Sequence, residues 1–431
     1  MIIDQPNKVI FWFRRDLRLE DNHGLYQALS SGDTVIPIFI FDRSILDDIE
    51  NRKDARVHFI YQAIEKLKNQ LEELGTSLLV FNDYPTDIFS NVNVKAVYTN
   101  HDYEPYAIKR DKVVGDELSK RNIPFYTFKD QVIYEKEDIL KADGSPYTVF
   151  TPYKNKWLAK FEASPVNSFR SEDHVDQFDS CQPAVMPSME QLGFQPSNSP
   201  IAILPNGNEE LIREYHNTRN FPSKDTTGLG VHLRFGTIGI RKLVNCVNKL
   251  NETFLSELIW REFFMMILWH FPEVENSAFK KKYDQIPWRN DEDEFLKWCN
   301  GVTGIPLVDA GMRQLNQTGF MHNRVRMVVA SFLVKNLLID WRWGEAYFAE
   351  KLMDFEFSSN NGNWQWAAGS GCDAAPYFRV FNPNTQADKF DKYNEYIKEW
   401  VPEYMHPNYQ PMVDLSLTRE RAISTYKRAL A

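Results

Sequence analysis

Residues 9–24 read VIFWFRRDLRLEDNHG, and the abrupt change at Arg14 from five apolar residues to a charged run decides how the rest of the chain is read. An unbroken apolar run of this length suits a strand buried on both faces, as in a parallel sheet covered by helices. Similar runs recur as VIPIFIF (35–41), SLLVF (77–81), AVYTN (96–100) and PFYTF (124–128). Between them lie ARVHFIYQAIEKLKNQLEEL and IKRDKVVGDELSKR, whose apolar residues fall at helical spacing. Strands alternating with helices predict a doubly wound parallel α/β sheet over residues 1–130. The glycine fingerprint that cradles a dinucleotide in such folds would directly follow the first strand; RRDLRLEDNHG stands there instead.

Outward from this sheet the pattern changes twice. Residues 131–205 are rich in Pro, Ser, Asn and Gln and predict a long connector. Residues 206–431 carry no strand pattern and predict an all-helical domain, with helices near 207–217, 236–250, 253–270, 292–299, 306–318, 322–338, 343–353 and 388–399. Four scattered cysteines without a CxxC pair argue against a zinc cage or a disulfide framework. No metal site is expected. MVVASFLVKNLLIDW is broken by Lys335 and Asp340, and MIIDQPNKVIFWF lacks the form of a leader, so a soluble, cytoplasmic protein is expected. A net charge of −9 speaks against nucleic-acid binding over the whole surface but leaves room for a local basic patch. Aromatic residues make up 14% of the chain, including 11 tryptophans, which leaves a large core and a ring-lined site equally open.

Several stretches carry chemistry. In LSELIWREFFMMIL, Glu257, Trp260, Arg261 and Phe264 share one helical face. Glu257 and Arg261 there form either an ordinary i,i+4 ion pair or, with Trp260 between them, part of a site for a planar ligand. DTTGLGVHLRFG (225–236) places hydroxyls and glycines ahead of a helix expected near Thr237, a pattern that suits a phosphate but is common at helix entrances. GFMHNRVRMVVASFL sets Asn323 and Met327 on one face, flanked by Arg324 and Arg326. NNGNWQW (360–366) crowds amides and indoles together. There is no GxSxG and no HExxH.

Together, FWFRRDLRLEDNHGL, RNFPSKDTTGLGVHLRFGTI, ELIWREF, GIPLVDAGMRQLNQTGFMHNRVRM, DWRWGEAYF and NNGNWQWAAGSGCDAAPYFRVFNP resemble the photolyase/cryptochrome family of flavin photoenzymes over nearly the whole chain. The resemblance implies a Rossmann-like antenna domain (1–130), the connector (131–205), and a helical FAD- and DNA-binding catalytic domain (206–431). It implies that Tyr215, Thr226, Thr227, Gly228, Leu229 and Gly230 lie around the FAD phosphates. Arg261, Arg326, Asp354, Glu356 and Asn360 would surround the rest of the cofactor. Glu257, Trp260, Asn323, Arg324, Met327 and Trp366 would form the substrate pocket, and Trp288, Trp341 and Trp364 an electron relay. Enzymes that repair (6-4) photoproducts resemble one another in carrying histidines where this chain has Asn323 and Met327. Cryptochromes tend to carry Asp or Cys at the Asn360 position. The chain therefore looks most similar to class I enzymes that repair cyclobutane pyrimidine dimers in DNA, with a blue-light receptor or a (6-4) enzyme as the alternatives.

The departures are Gly230 where a serine is usual, Glu356 where an Asp is usual, and Phe254 in place of an indole. Trp298, Trp343 and Trp400 are spare indoles. NHDYEPYAIKRD (100–111) lacks the Asn-Glu pair of folate-binding relatives, having Tyr106 and Ala107 there, and resembles the deazaflavin-binding version. A second, antenna chromophore is thus a deazaflavin or flavin sooner than a folate, and an empty site is also open. The expected partner is damaged DNA, met by a monomer through Lys280, Lys281, Lys282, Arg324 and Arg379.

Overall fold

A computed structural model describes residues 3–164, 166–198 and 208–431. The described residues fall into two compact units. The first takes in those up to Glu135, those from Ala159 into the connector, and Gly228–Lys249; the second holds Lys136–Leu158, the stretch that ends at Thr227, and Leu250–Ala431.

The first unit is built on five parallel strands, β1 (Ile3–Phe13), β2 (Val35–Asp42), β3 (Leu79–Asp83), β4 (Val92–Asn100) and β5 (Phe125–Phe128), in the order β3-β2-β1-β4-β5. Each expected strand is present. Val9–Phe13 is buried throughout because β1 is central, with Ile10 opposite Ile36 on one side and Val97 on the other. β1 begins six residues earlier than its apolar run, and its register against β4 shifts between Gln5 and Val9. The amphipathic stretches form the helices Ala55–Glu73 and Pro105–Lys120.

Ligands of such sheets lie where the strand order reverses, at the carboxyl ends of β1 and β4. Here that place is dense with paired charge. Arg15 meets Asp102 at 3.0 Å, Arg234 meets Glu104 at 2.7 Å, and the guanidinium groups of Arg14 and Arg110 both lie over the Trp12 ring. The nearby arginines hold the Asp102 carboxyl well below the usual carboxylate range against the opposing effect of burial. Tyr106 donates its hydroxyl to Asp42 at 2.6 Å.

The connector is more ordered than its composition predicts. It contains the helix Phe150–Ala163 and the 3-10 turn Ser171–Gln177, and its residues 136–158 belong to the second unit while its described residues on either side belong to the first. Its residues 165 and 199–205 lie outside the described residues, as does residue 207 of the expected helix 207–217, of which Asn208–Arg213 and Tyr215–Thr218 are helical. Residues 228–249 pack with the first unit, whereas the sequence reading placed them in the helical domain.

The threonine/glycine stretch is also built differently. A helix, Leu229–Phe235, runs inside it between Gly228 (φ 62°) and Gly236 (φ 65°), and the next begins at Ile240 instead of Thr237. Gly236 is required twice over, since a β-carbon there would overlap the Arg15 carbonyl.

The second unit is helical. Its core gathers Val308, Met312, Val328, Val329, Phe332, Leu333, Trp364 and Ala368. The expected helix 322–338 is α-helical only over Asn323–Ser331 and continues as a π-helical segment, Phe332–Leu337, that ends at Leu338 with φ 55°. Lys335 in that segment is buried, donates to the Ala368 carbonyl at 2.9 Å and sits over the Tyr426 ring. The expected helix 388–399 divides into Pro383–Phe390 and Glu395–Trp400, because the Asp391 carboxylate captures the Tyr396 and Ile397 N–H groups. Two helices outside the sequence reading are Phe357–Ala368 and Leu415–Leu430. No described helix is long and apolar enough to cross a membrane.

Candidate functional site

The stretch NNGNWQW lies within the helix Phe357–Ala368, although Asn and Gly are poor helix formers. Helical spacing separates its polar groups into rows. Asn360, Asn363, Trp364 and Ala367 line a cavity, whereas Asn361 and Gln365, one turn apart, hydrogen-bond to the segment 274–279. Trp364 is buried in a tight slot: a β-carbon at Gly344 would overlap its ring, and Phe348 meets it edge-on at 5.0 Å.

The cavity is lined by Asn323, Arg326 and Met327 from one helix, by Asp354 and Glu356 from the loop before the next, and by Asn360, Trp364 and Trp366 beyond it. Arg326 donates to both Asp354 carboxylate oxygens, at 2.9 and 3.1 Å, and to the Met321 carbonyl at 2.8 Å. The Asn360 amide nitrogen donates to the Glu345 side chain at 2.8 Å and its main-chain carbonyl at 3.0 Å. With its nitrogen committed, the Asn360 amide oxygen is the atom left for a ligand. Burial pushes the Glu345 carboxyl up, and the Asn360 amide opposes that shift.

Eight sequence-selected residues thus meet in one cavity: Asn323, Arg326, Met327, Asp354, Glu356, Asn360, Trp364 and Trp366. Others lie outside its lining. Glu257 pairs with Arg219 at 2.7 Å, so the alternative of an i,i+4 pair with Arg261 is replaced by a partner from another segment. Burial raises the Glu257 carboxyl, and Arg219 opposes it. Arg261 reaches Glu356 at 4.0 Å. The Trp260 ring stacks on Phe150 at 3.6 Å and 9°. Arg324 donates to Asn220 at 2.6 Å and covers the Phe390 ring. Tyr215 meets Phe254 edge-on at 4.9 Å, under the Arg219 guanidinium. Thr226 is exposed and Thr227 buried, and the chain passes from the second unit to the first between Thr227 and Gly228, ahead of Leu229 and Gly230. Trp341 is buried, while half-buried Trp288 meets Tyr426 edge-on at 5.9 Å. Trp298, a spare indole by sequence, meets Trp364 at 6.1 Å.

Sequence reasoning overlooked Glu345, Arg219, Phe150 and Asn363. Arg219 had a local signal, falling one turn after Tyr215; Glu345 and Phe150 had none, because their partners are 15 and 110 positions away.

A mostly apolar and aromatic cavity with one ion pair, one oriented amide and a buried indole suits a large planar cofactor, which places the protein among those that bind aromatic prosthetic groups. Comparison with known proteins narrows that class. Residues 254–413 match the model of the FAD binding domain of DNA photolyase, and residues 9–171 match that of DNA photolyase. The chain is 36% identical to a deoxyribodipyrimidine photo-lyase of Synechococcus sp., across 95% of this chain and 91% of the relative. An archaeal photolyase structure from Sulfolobus tokodaii, solved with two FAD molecules, superposes with a TM-score of 0.84 at 35% identity, covering 99% of this chain and 100% of that one. A cryptochrome structure from Synechocystis sp. gives the same TM-score at 25% identity, covering 98% and 99%. The chain belongs to the DNA photolyase family, and its second unit carries the family's FAD-binding domain.

Proposed function

We propose that this protein is a DNA photolyase that repairs cyclobutane pyrimidine dimers with light. The observation that carries the reading is the cavity in which the candidates for cofactor contact (Arg326, Asp354, Glu356, Asn360) and for substrate contact (Asn323, Met327, Trp366) face one space. The cryptochrome shares the fold, so the fold alone does not separate repair from light sensing.

FAD suits this lining. When bound and reduced, it supplies the light-driven one-electron donation that no side chain provides. Arg326 and Asp354, already paired, would hold its polar edge, and Asn360, aimed by Glu345, would offer it an amide oxygen. Arg261 and Glu356 would flank it, and Tyr215 and residues 226–230 would take the phosphates. A dimer must leave the duplex to enter, because its reacting bonds are out of reach inside the base stack. Trp366 and Trp260 would hold its rings. Glu257, with Arg219 beside it, would meet an imide N–H through its carboxylate oxygens, and the Asn323 amide would meet carbonyl or imide groups. Trp364, Trp341 and Trp288 would return electrons from the surface to an oxidised cofactor.

On the same reading the sheet-bearing first unit forms the antenna domain and the helical second unit the catalytic one, with a deazaflavin or flavin as the second chromophore. The protein works as a cytoplasmic monomer. The test is illumination with blue to near-UV light of the reduced holoprotein with oligonucleotides containing either lesion. Light-dependent loss of cyclobutane dimers is expected. Loss of the (6-4) lesion alone would overturn the substrate assignment, and loss of neither would favour a receptor.

A further inference from the structure

The cavity uses one row of the site helix; Asn361 and Gln365 form another. Both side chains are buried, and both are spent on the segment that follows the helix Glu252–His270. Asn361 Nδ2 donates to the Val274 carbonyl at 2.9 Å. Gln365 Oε1 accepts the Phe279 N–H at 2.8 Å, and Gln365 Nε2 donates to Asn361 Oδ1 at 3.0 Å and, at 3.4 Å, to the carbonyls of Val274 and Ser277. The Gln365 carbonyl also accepts the N–H groups of Gly369, Ser370 and Gly371, and the Ser370 carbonyl accepts the Lys280 N–H at 2.9 Å.

One residue therefore joins two segments. Val274 and Ala278 in the first of them are buried, whereas Lys280, Lys281 and Lys282 just beyond are exposed. Its chain neighbour is Trp366. Apolar packing alone would let these segments slide, whereas a fully partnered buried amide fixes their register, since any displacement strands polar atoms away from water. Phe264, Val274, Phe279 and Gly362 pack around the pair, and a β-carbon at Gly362 would overlap the Phe264 ring, which keeps this contact close.

We propose that Gln365, supported by Asn361, is a positioning residue for DNA: it locks the Lys280–Lys282 run in register with Trp366, so that one rigid face grips phosphates and stacks on the lesion. The proposal rests on the repair reading above. Gln365 touches neither cofactor nor lesion; it acts through Phe279, Lys280 and the 369–371 turn.

The experiment compares wild type with Gln365→Leu, each also with Lys280, Lys281 and Lys282 changed to Ala, all as flavin-loaded full-length protein. Hydrogen exchange of peptides covering 274–283 in the free protein reads the clamp. The salt dependence of affinity for a dimer-containing duplex reads its use. With Gln365→Leu, exchange should accelerate at least tenfold while flavin absorbance and photoreduction are unchanged. The slope of log K against log[salt] should become shallower by about 2, the loss of roughly two phosphate contacts at about 0.9 each. In the lysine-free background Gln365→Leu should leave the slope unaltered. If Gln365→Leu fails to load flavin, Asn361→Ala replaces it, with an expected slope change of about 1 for one lost contact. A wild-type slope despite accelerated exchange, or an equal fall without the lysines, overturns the proposal. Wild-type protein lacking salt-dependent affinity for the duplex would overturn the repair reading itself, a failure visible before any substitution.

Discussion

Replacing Asn360 by Asp would put a carboxyl group where an amide nitrogen now donates to Glu345 Oε1 at 2.8 Å and to the Glu345 carbonyl at 3.0 Å. Two carboxylates at 2.8 Å repel by about 6 kcal/mol at an effective dielectric of about 20, which holds one proton on the pair well above the ordinary carboxyl range. The neighbouring carbonyl offers no relief, being an acceptor as well. The sign follows from proton binding. The folded variant keeps a proton that the unfolded chain releases near pH 4, so its added stability is present at low pH and is lost as pH rises through the raised folded value. Between pH 6 and 8 the variant should lose about 2.7 kcal/mol relative to wild type, at about 1.4 kcal/mol per pH unit. Urea unfolding of both holoproteins across that range measures it. Adding Glu345→Gln restores a donor–acceptor pair and should abolish the extra slope. A single variant whose pH dependence parallels wild type from pH 6 to 8 would refute the reasoning that Glu345 orients Asn360.

Gly344→Ala would drive a β-carbon into the Trp364 ring and should destabilise the protein by about 1–3 kcal/mol, read from the urea midpoint. Trp364→Phe should block photoreduction of oxidised flavin, followed by absorbance, while pre-reduced enzyme still repairs dimers. Trp366→Ala should weaken dimer binding by about 1–3 kcal/mol, the scale of one lost base–indole stack, in a titration at fixed salt. His322 caps the helix Asn323–Ser331 by accepting the Arg324 N–H at 3.1 Å, and burial, with Arg326 and Arg324 nearby, pushes its imidazole down to about 4. The unfolded chain then binds a proton that the folded one refuses, so stability falls as pH drops from about 6.5 to 4, by up to about 1.4 kcal/mol per unit. Subtracting the profile of His322→Asn, which keeps a capping side chain, should remove that component.

What the sequence by itself determined was whatever depends on local pattern. The run VIFWF implies a strand buried on both faces, and the amphipathic period of residues 55–73 implies a helix, because burial of one stripe or of two faces leaves its mark on consecutive residues. Motifs also named eight of the residues that line the cavity. Only the tertiary structure decided their partners. The helix Phe357–Ala368 was illegible because its asparagines and glycine disfavour helix; it stands because Trp364 and Ala368 are buried and Asn361 and Gln365 find hydrogen-bond partners far along the chain. Glu257 takes Arg219 instead of Arg261, Asn360 takes Glu345, and Trp260 takes Phe150, each across a turn or a long loop. Buried polar and aromatic groups settle on whichever partner the packed chain brings within about 3–4 Å, and nothing in the spacing of residues along one helix fixes that choice.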